Sequence, residues 1–302
     1  MTDGRLRALA ARIMEWRTTV YRVRAAYARA HGRAPRILRP CRFTEKMQWR
    51  KIFDQNPAFP ILCDKLAVRD FVTDRVGGNL LVPLLWTGMP EEIPFDRITP
   101  PFVLKSTHAS GQVIMVGPDE VIDRAAIRAR AEAWLAICHG SAYDEPAYKA
   151  VPRRLIIERT ITTAAGAQPE EVRLFVFDGR VAVINTVFVE DGRVRNGAFH
   201  KPDWTRLNWH FTRRVDRDFP RPERLTDMIR IAEALGQGFD HLRVDLYDGG
   251  AQIWIGEVTV YSWSGHVPFN PDEADFALGA EWRLRGPLAR AARSVLFRHR
   301  PF

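Results

Sequence analysis

In the stretch HLRVDLYDGGAQIWIGEVTV, residues 241–260, two carboxylates and a guanidinium stand where a buried hairpin would place apolar residues. Val244 and Leu246 alternate with Arg243, Asp245 and Tyr247, and Ile253 and Ile255 share a face with Glu257 and Thr259. Asp248-Gly249-Gly250 is turn chemistry, so the two runs fold back on one another. A two- or four-residue loop would turn Glu257 away from Asp245, because a one-residue slip flips a strand. A five-residue loop, Asp248 to Gln252, instead sets Glu257 opposite Arg243 and Asp245 on the diagonal, roughly 7–8 Å away on the same face. Two chemistries fit that arrangement. One is a divalent cation bridged by Asp245 and Glu257, and the other is an Arg243–Glu257 cross-strand salt bridge with Asp245 at its rim.

A second group of candidates sits upstream. Lys105 ends the apolar run FVLK, and the loop that follows contains Ser106, Thr107, Ala109, Ser110 and Gly111. Small residues between strands expose backbone N–H groups and hydroxyls that can wrap phosphate oxygens while an ammonium neutralises them. The P-loop pattern is absent. Glu158 closes the apolar run LIIE and can accept from a ribose or sit beside an adenine amine, although strands also end in acids for no chemical reason. Asp64-Lys65 reads equally as a capped helix start. Asp216 and Asp218 in VDRDF have the spacing by which metal-dependent glycosyltransferases hold a cation, but Arg213, Arg214, Arg217 and Arg221 make that loop charge-rich on their own account. The eight histidines show no ligand spacing, and no G-x-S-x-G elbow occurs.

These residues need strands and helices to hold them, and the patterning supplies both. The first 60 or so residues read as mainly helical, with a break at HGRAPRILRP. DKLAVRDFVTDRV predicts a helix with Asp64 as its N-cap and a Gly77-Gly78 stop. PPFVLKSTHASGQVIMVGP predicts strand, loop and strand, followed by a helix over about 119–138 and a strand at RRLIIERTI. EVRLFVFDGRVAVINTVFVEDGRVRNGAFH predicts an antiparallel meander with turns at Asp178-Gly179 and Asp191-Gly192, and a helix near 225–235 leads into the opening hairpin. The result is α+β with mainly antiparallel sheets, and not a doubly wound fold.

At 302 residues, 46% hydrophobic and 27% charged, the chain has the composition of a folded protein with one large or two modest domains. No apolar run is long enough to span a bilayer and no secretory leader is visible, which predicts a cytosolic location. Cys41, Cys63 and Cys138 are scattered and odd in number, against a disulfide framework. The net charge of +9 is concentrated at the ends: residues 1–50 carry 13 Lys and Arg against 3 Asp and Glu, and 282–302 carry 6 arginines and no acid. Residues 51–281 have 26 basic against 33 acidic residues. Arginines interleaved with Leu6, Leu9, Ile13, Trp16, Val20 and Val23 fit either a solvated helix packed on the body or attachment to an anionic membrane face. No nucleic-acid motif accompanies them, which sets that partner aside.

Taken in order, FTEKMQWRKIFDQNP, CDKLAVRDFV, FVLKSTHASG, LRVDLY and IGEVTVYSWSG resemble the TupA-like ATP-grasp family of polysaccharide biosynthesis, over about Phe43 to Leu278. The resemblance implies an ATP-grasp fold, two lobes clasping a nucleotide. It implies a basic helical region over 1–60, an N-terminal lobe with a phosphate-lid hairpin over 61–160, a C-terminal lobe with the metal site over 161–281, and a basic tail over 282–302. Lys65 and Lys105 match the two phosphate-contacting lysines, and the 106–112 loop with Ser110 and Gly111 matches the lid. Glu158 matches the hinge acid near adenine and ribose, and Glu171 is a further ribose candidate. Asp245 and Glu257 match the acids that bind Mg²⁺, with Thr259 in the third position and Arg243 on the reacting phosphate. The implied chemistry is transfer of the ATP γ-phosphate to a carboxylate, followed by attack of an amine or other nucleophile. The acceptor implied is a carboxylated sugar or glycan, or an amino acid joined to one. The basic ends, by their charge alone, point to attachment at the inner membrane face.

Four positions depart from the family's pattern. Thr259 stands where an asparagine is usual, Ser262-Trp263 replaces a proline-glycine turn, and Ala109 replaces a lid glycine. No βα substrate domain is visible before residue 60. These departures keep two further readings open, a glycosyltransferase built on Asp216 and Asp218 and a non-catalytic scaffold.

Overall fold

The computed structural model describes residues 2–163, 166, 169–190 and 193–284. The expected Asp191-Gly192 turn and the basic stretch 285–302 lie outside the described residues. The chain begins with helices α1 (Thr2–His31), α2 (Phe43–Phe53), α3 (Phe59–Cys63) and α4 (Val68–Val76). Strands β1 (Leu84–Gly88), β2 (Phe102–Ser106) and β3 (Val113–Val116) follow, then α5 (Arg124–Ala136), α6 (His139–Ala142) and β4 (Leu155–Arg159). The second half comprises β5 (Glu171–Phe177), β6 (Arg180–Glu190), β7 (Arg193–His200), β8 (Arg206–Leu207), α7 (Leu225–Gly236), β9 (His241–Asp248), β10 (Ile253–Thr259) and α8 (Asp272–Glu281). The strands form a four-stranded sheet, β1-β4-β2-β3, and a six-stranded sheet, β10-β9-β5-β6-β7-β8. Every pairing is antiparallel.

The period-two pattern of the small sheet decides what it offers the site. Phe102, Leu104, Leu155 and Ile157 face α5 and pack on Ile127, Ala131 and Trp134. The alternate residues Lys105 and Glu158 therefore point to the other face. Helix α5 starts later than its sequence pattern indicates, because Asp123 rather than Asp119 caps it by accepting from the Ala126 N–H at 2.9 Å. Asp64 also falls short of its expected role. It caps a turn through Leu66 N–H at 2.8 Å, and α4 begins only after Ala67.

In the large sheet, α7 lies on β5, β6 and β9, with Gly236 set so closely against Val176 that a Cβ would come within 2.4 Å of it. The opposite face is covered at one end by α2, whose Phe43 ring meets Phe175, Phe177 and His241 edge-on. The other end of that face carries Glu171, Arg173, Arg243 and Asp245, with the Trp263 ring against the two arginines. Helix α2 is held there by polar groups. Arg50, fully buried, donates to the carbonyls of His241 and Val260 at 2.9 Å and to Asp240 at 2.5 Å, tying the helix to the start of β9 and the end of β10. Phe43, Met47, Phe59, Leu62 and Phe71 belong to the same apolar cluster as the six-stranded sheet, so the N-terminal helices complete that lobe.

The opening hairpin differs from its expected register. Ile253 pairs with Asp248, leaving a four-residue tip, and Glu257 lies opposite Asp245 while Thr259 lies opposite Arg243. A four-residue tip alone would turn Glu257 away from Asp245. A bulge between Ile255 and Glu257 adds one residue, Gly256, and restores the shared face. Gly256 suits that place because a Cβ would come within 2.5 Å of the Tyr247 ring.

Candidate active site

The two sheets approach each other so that Lys65, Lys105, Glu158 and Glu257 line one narrow cleft of about 30 Å³, with Cys63, Val68, Arg69 and Ile255 as its apolar and cationic walls. Lys105 Nζ donates to Glu158 Oε2 at 2.7 Å, and Arg69 holds the other oxygen at 3.0 Å. Lys65 Nζ donates to the Ala109 carbonyl at 2.5 Å, and its backbone N–H reaches the Thr107 carbonyl at 3.1 Å. The lysine thus ties the small-residue loop to the helical segment below it.

Glu257 is shared with a second, larger cavity of about 370 Å³. Its walls include Ser110 and Gly111 from the loop, Arg173, Arg243 and Thr259 from the large sheet, and Glu145, Trp263 and His266 from connecting segments. Gly111, at φ +74° with open space around its Cα, makes the left-handed turn of that loop without strain. Arg243 chelates Asp245 through two hydrogen bonds at 2.7 and 2.6 Å and donates to Thr259 Oγ1 at 3.1 Å. Its distance to Glu257 is 3.9 Å, so the expected Arg243–Glu257 pairing is the weaker of its two acid contacts. Register explains this, since Thr259 and not Glu257 stands opposite Arg243.

The charges around these acids are strongly coupled. Burial alone raises the Glu257 carboxyl, yet Lys65, Arg243, Arg173 and Lys105 together hold it below its ordinary value. For Asp245, burial prevails over Arg243 and pushes the group up to about 6. Desolvation lowers the Lys65 ammonium, with Glu257 pulling the other way.

Arg173 is a site residue that the sequence reading missed. Its guanidinium lies 3.8 Å from Asp245 and bonds Glu171 at 2.6 Å. The Trp263 ring faces both guanidiniums, with centroid distances of 4.7 Å to Arg243 and 5.6 Å to Arg173. The alternation Glu171-x-Arg173 beside Arg243-x-Asp245 was the available signal. Glu171 itself does not join the lysines in the cleft. It lines a separate cavity of about 220 Å³ with Phe188, Arg217 and Tyr247. Asp216 and Asp218 are exposed on a loop and salt-bridged to Arg214 and Arg206, at 3.0 and 3.7 Å.

Among the described residues no group of three His, Cys, Asp or Glu side chains converges as a metal cage. Two facing carboxylates and a hydroxyl nevertheless suit Mg²⁺, a hard cation usually held by one or two carboxylates with phosphate and water oxygens completing its shell. Asp245, Glu257 and Thr259 carry those donor types, with both Asp245 oxygens and the Thr259 hydroxyl accepting from Arg243 in this structure.

The sequence model described as TupA-like ATPgrasp matches residues 45–283. No curated protein matches the chain. Among solved structures, D-alanine–D-alanine ligase from Bacillus anthracis complexed with ATP is 14% identical, with a TM-score of 0.39 over 66% of this chain and 55% of that one. The ATP-grasp ligase PsnB, complexed with a phosphomimetic variant of its minimal precursor, Mg and ADP, is 14% identical, with a TM-score of 0.42 over 80% of this chain and 66% of that one. N5-carboxyaminoimidazole ribonucleotide synthetase from Thermus thermophilus is 15% identical, with a TM-score of 0.38 over 67% of this chain and 46% of that one. The chain thus spans 55% of the length of the first of these ligases.

Proposed function

The chain belongs to the TupA-like ATP-grasp family, and from that premise we propose that it is an ATP- and Mg²⁺-dependent ligase of cell-surface polysaccharide assembly. It activates a carboxylate as an acyl phosphate, whose acyl group passes to an amine or other nucleophile. One observation carries the reading: Lys65, Lys105, Arg173 and Arg243 all act on the single carboxylate of Glu257, at the wall shared by the two cavities. Lys105, Arg173 and Arg243 also hold Glu158, Glu171 and Asp245, and an anion of high charge such as a triphosphate can draw the four cations from these pairs.

In this reading the narrow cleft takes the nucleotide. Lys65 and Lys105 meet its phosphates, Glu158 lies toward the base and ribose, and the loop with Ser110 and Gly111 closes over them. A space of about 30 Å³ is far below the few hundred that a bound ligand needs, so admitting ATP requires the lobes to part and the Lys105–Glu158 pair to open. Glu171, in its separate cavity, reaches the ribose only if that opening joins the two spaces. Mg²⁺, held by Asp245 and Glu257 with Thr259 adjacent, would neutralise the repulsion between phosphate and carboxylate. Arg243 lies on the transferring phosphoryl group and Arg173 orients the acceptor carboxylate toward it, with the Trp263 ring against both guanidiniums. The carboxylate oxygen bonds to phosphorus as the bond to ADP breaks, and the acyl group then passes to the nucleophile with release of phosphate. The acceptor class is a carboxylated sugar or glycan, or an amino acid joined to one. Calorimetry should show ATP binding that strengthens with Mg²⁺, and ADP release should rise when uronate glycans are offered with amino acids. Absence of ATP binding in both conditions would end this reading.

The same proposal puts the protein at the cytoplasmic membrane face. No described helix is long and apolar enough to cross a membrane. Helix α1 exposes Ile13, Met14 and Tyr21 together with Arg17 and Arg24, an apolar and cationic surface suited to anionic headgroups. Co-sedimentation with anionic liposomes is expected at low ionic strength and its loss at high ionic strength. Failure to sediment at low salt would remove the membrane from the account.

A further inference from the structure

The turn after β10 carries a serine in an unusual setting. Trp263 and Ser264 have φ of 47° and 58°, and Gly265 follows at 64°. Two consecutive non-glycine residues in the left-handed region are strained and persist only where their surroundings hold them. The surroundings here are α1 and α2. Gln48 Nε2 donates to the Ser264 carbonyl at 3.0 Å, and the His31 ring contacts the Gly265 carbonyl at 2.9 Å. The turn presents Ser264 to the 370 Å³ cavity that also contains Arg243 and Glu257.

Behind the serine lies Lys51, only 3% exposed, whose Nζ is 2.5 Å from Ser264 Oγ. Burial lowers the Lys51 ammonium to about 8, against the opposing pull of Glu145 and Asp144. His266, on the same turn, also acts on this site. Burial and Lys51, with His31 and Arg29, push it down to about 3, so its ring is neutral, and its buried Nε2 has no hydrogen-bond partner among the described residues. A serine hydroxyl on a sharp left-handed turn, bonded to a desolvated lysine and opening into a cavity, is the constellation of serine–lysine nucleophiles.

We propose that Ser264 and Lys51 form a nucleophilic dyad on which the activated acyl group is held as a serine ester before it passes to the amine. The proposal takes from the ligase reading above only the source of the acyl group. In the first half, Ser264 Oγ bonds to the acyl carbon, the bond to phosphate breaks with its electron pair on the phosphate oxygen, and Lys51 carries the hydroxyl proton to the departing phosphate. In the second half, the amine nitrogen bonds to the acyl carbon, the bond to Oγ breaks, and Lys51 carries the amine proton back to Oγ. The neutral ring of His266 lines the same cavity. The net reaction is that of the ligase.

The test uses the full chain with acetyl phosphate and no ATP, followed by acid quench and peptide mass spectrometry. An acetyl group is expected on Ser264, forming at a rate that rises along one titration near 8. Ser264→Ala should abolish the label, and Lys51→Met should slow it by about 100-fold or more. The pH profile needs no variant, so it stands even if Lys51→Met does not fold. An unmodified Ser264, a rate indifferent to pH, or equal labelling in a folded Lys51→Met protein would overturn the dyad. ATP binding without acetylation defeats the dyad alone. Acetylation without ATP binding defeats the ligase reading and leaves the dyad standing.

Discussion

Glu257→Gln is expected to weaken binding of Mg²⁺–ATP by roughly 100-fold, about 2.8 kcal/mol, while leaving metal-free ATP bound as well as before or more tightly. The two directions follow from one substitution. The carboxylate is a metal donor and also the counter-ion of Lys65, Lys105, Arg173 and Arg243. Its neutral isostere removes an anionic donor from the cation, which lowers affinity for the metal complex. It also leaves four cations less compensated, which favours the more anionic, metal-free nucleotide. A merely structural counter-ion would give a different result, since losing it would disturb the cleft for both forms alike. Calorimetry with and without Mg²⁺ on the same preparation separates the cases, and equal losses in both titrations would withdraw Glu257 from the metal site.

The second large effect is expected from Arg243→Met. In the folded chain Arg243 holds both oxygens of Asp245, which is 2% exposed. Removing one partner of a buried ion pair strands the other, at a cost of about 3–5 kcal/mol. That cost must depend on pH. Burial already raises Asp245 to about 6, and loss of the guanidinium raises it further. A carboxyl whose folded value exceeds its unfolded value of roughly 3.9 binds its proton more tightly when folded, so stability falls as pH rises between the two values. The variant's deficit relative to wild type is therefore largest at about pH 8 and shrinks toward about pH 5, where Asp245 is protonated and neutral. Urea unfolding at those two values measures it. ADP release should fall by about three orders of magnitude, the usual cost of losing an arginine from a transferring phosphoryl group. A deficit of the same size at both pH values would mean that Asp245 is not the group left stranded.

Helix and strand order was readable from the sequence because it is set locally. Period-two alternation gives β5, β6 and β9, and Asp178-Gly179 with φ of 47° and 78° makes the tight turn that its residue types indicate. The chemistry of the hairpin was readable for the same reason. Acids and an arginine at alternating positions must share a face wherever the strands run regularly.

What the sequence could not fix is which of those residues meet, because that depends on backbone irregularities and on contacts between distant segments. The tip is four residues long where a five-residue loop was the expectation, and the bulge at Gly256 returns Glu257 to the face of Asp245, so a right conclusion about the face rested on a wrong register. The Tyr247 ring stands where a Cβ at 256 would lie, so glycine suits the bulge, and a linear pattern does not contain that contact. Arg173 joins Arg243 only because β5 pairs with β9, and the same pairing sets Glu171 beside Tyr247 in a cavity apart from the lysine cleft. Lys51 and Ser264 are the extreme case: 213 positions apart, they are brought to hydrogen-bond distance by α2 packing beneath the turn that follows β10. The sequence by itself determined the elements, the family and the polar face of the hairpin, all of which follow from short-range periodicity and residue type. The tertiary structure alone decided the partnerships and the protonation states, since those depend on burial and on charges brought together from remote parts of the chain.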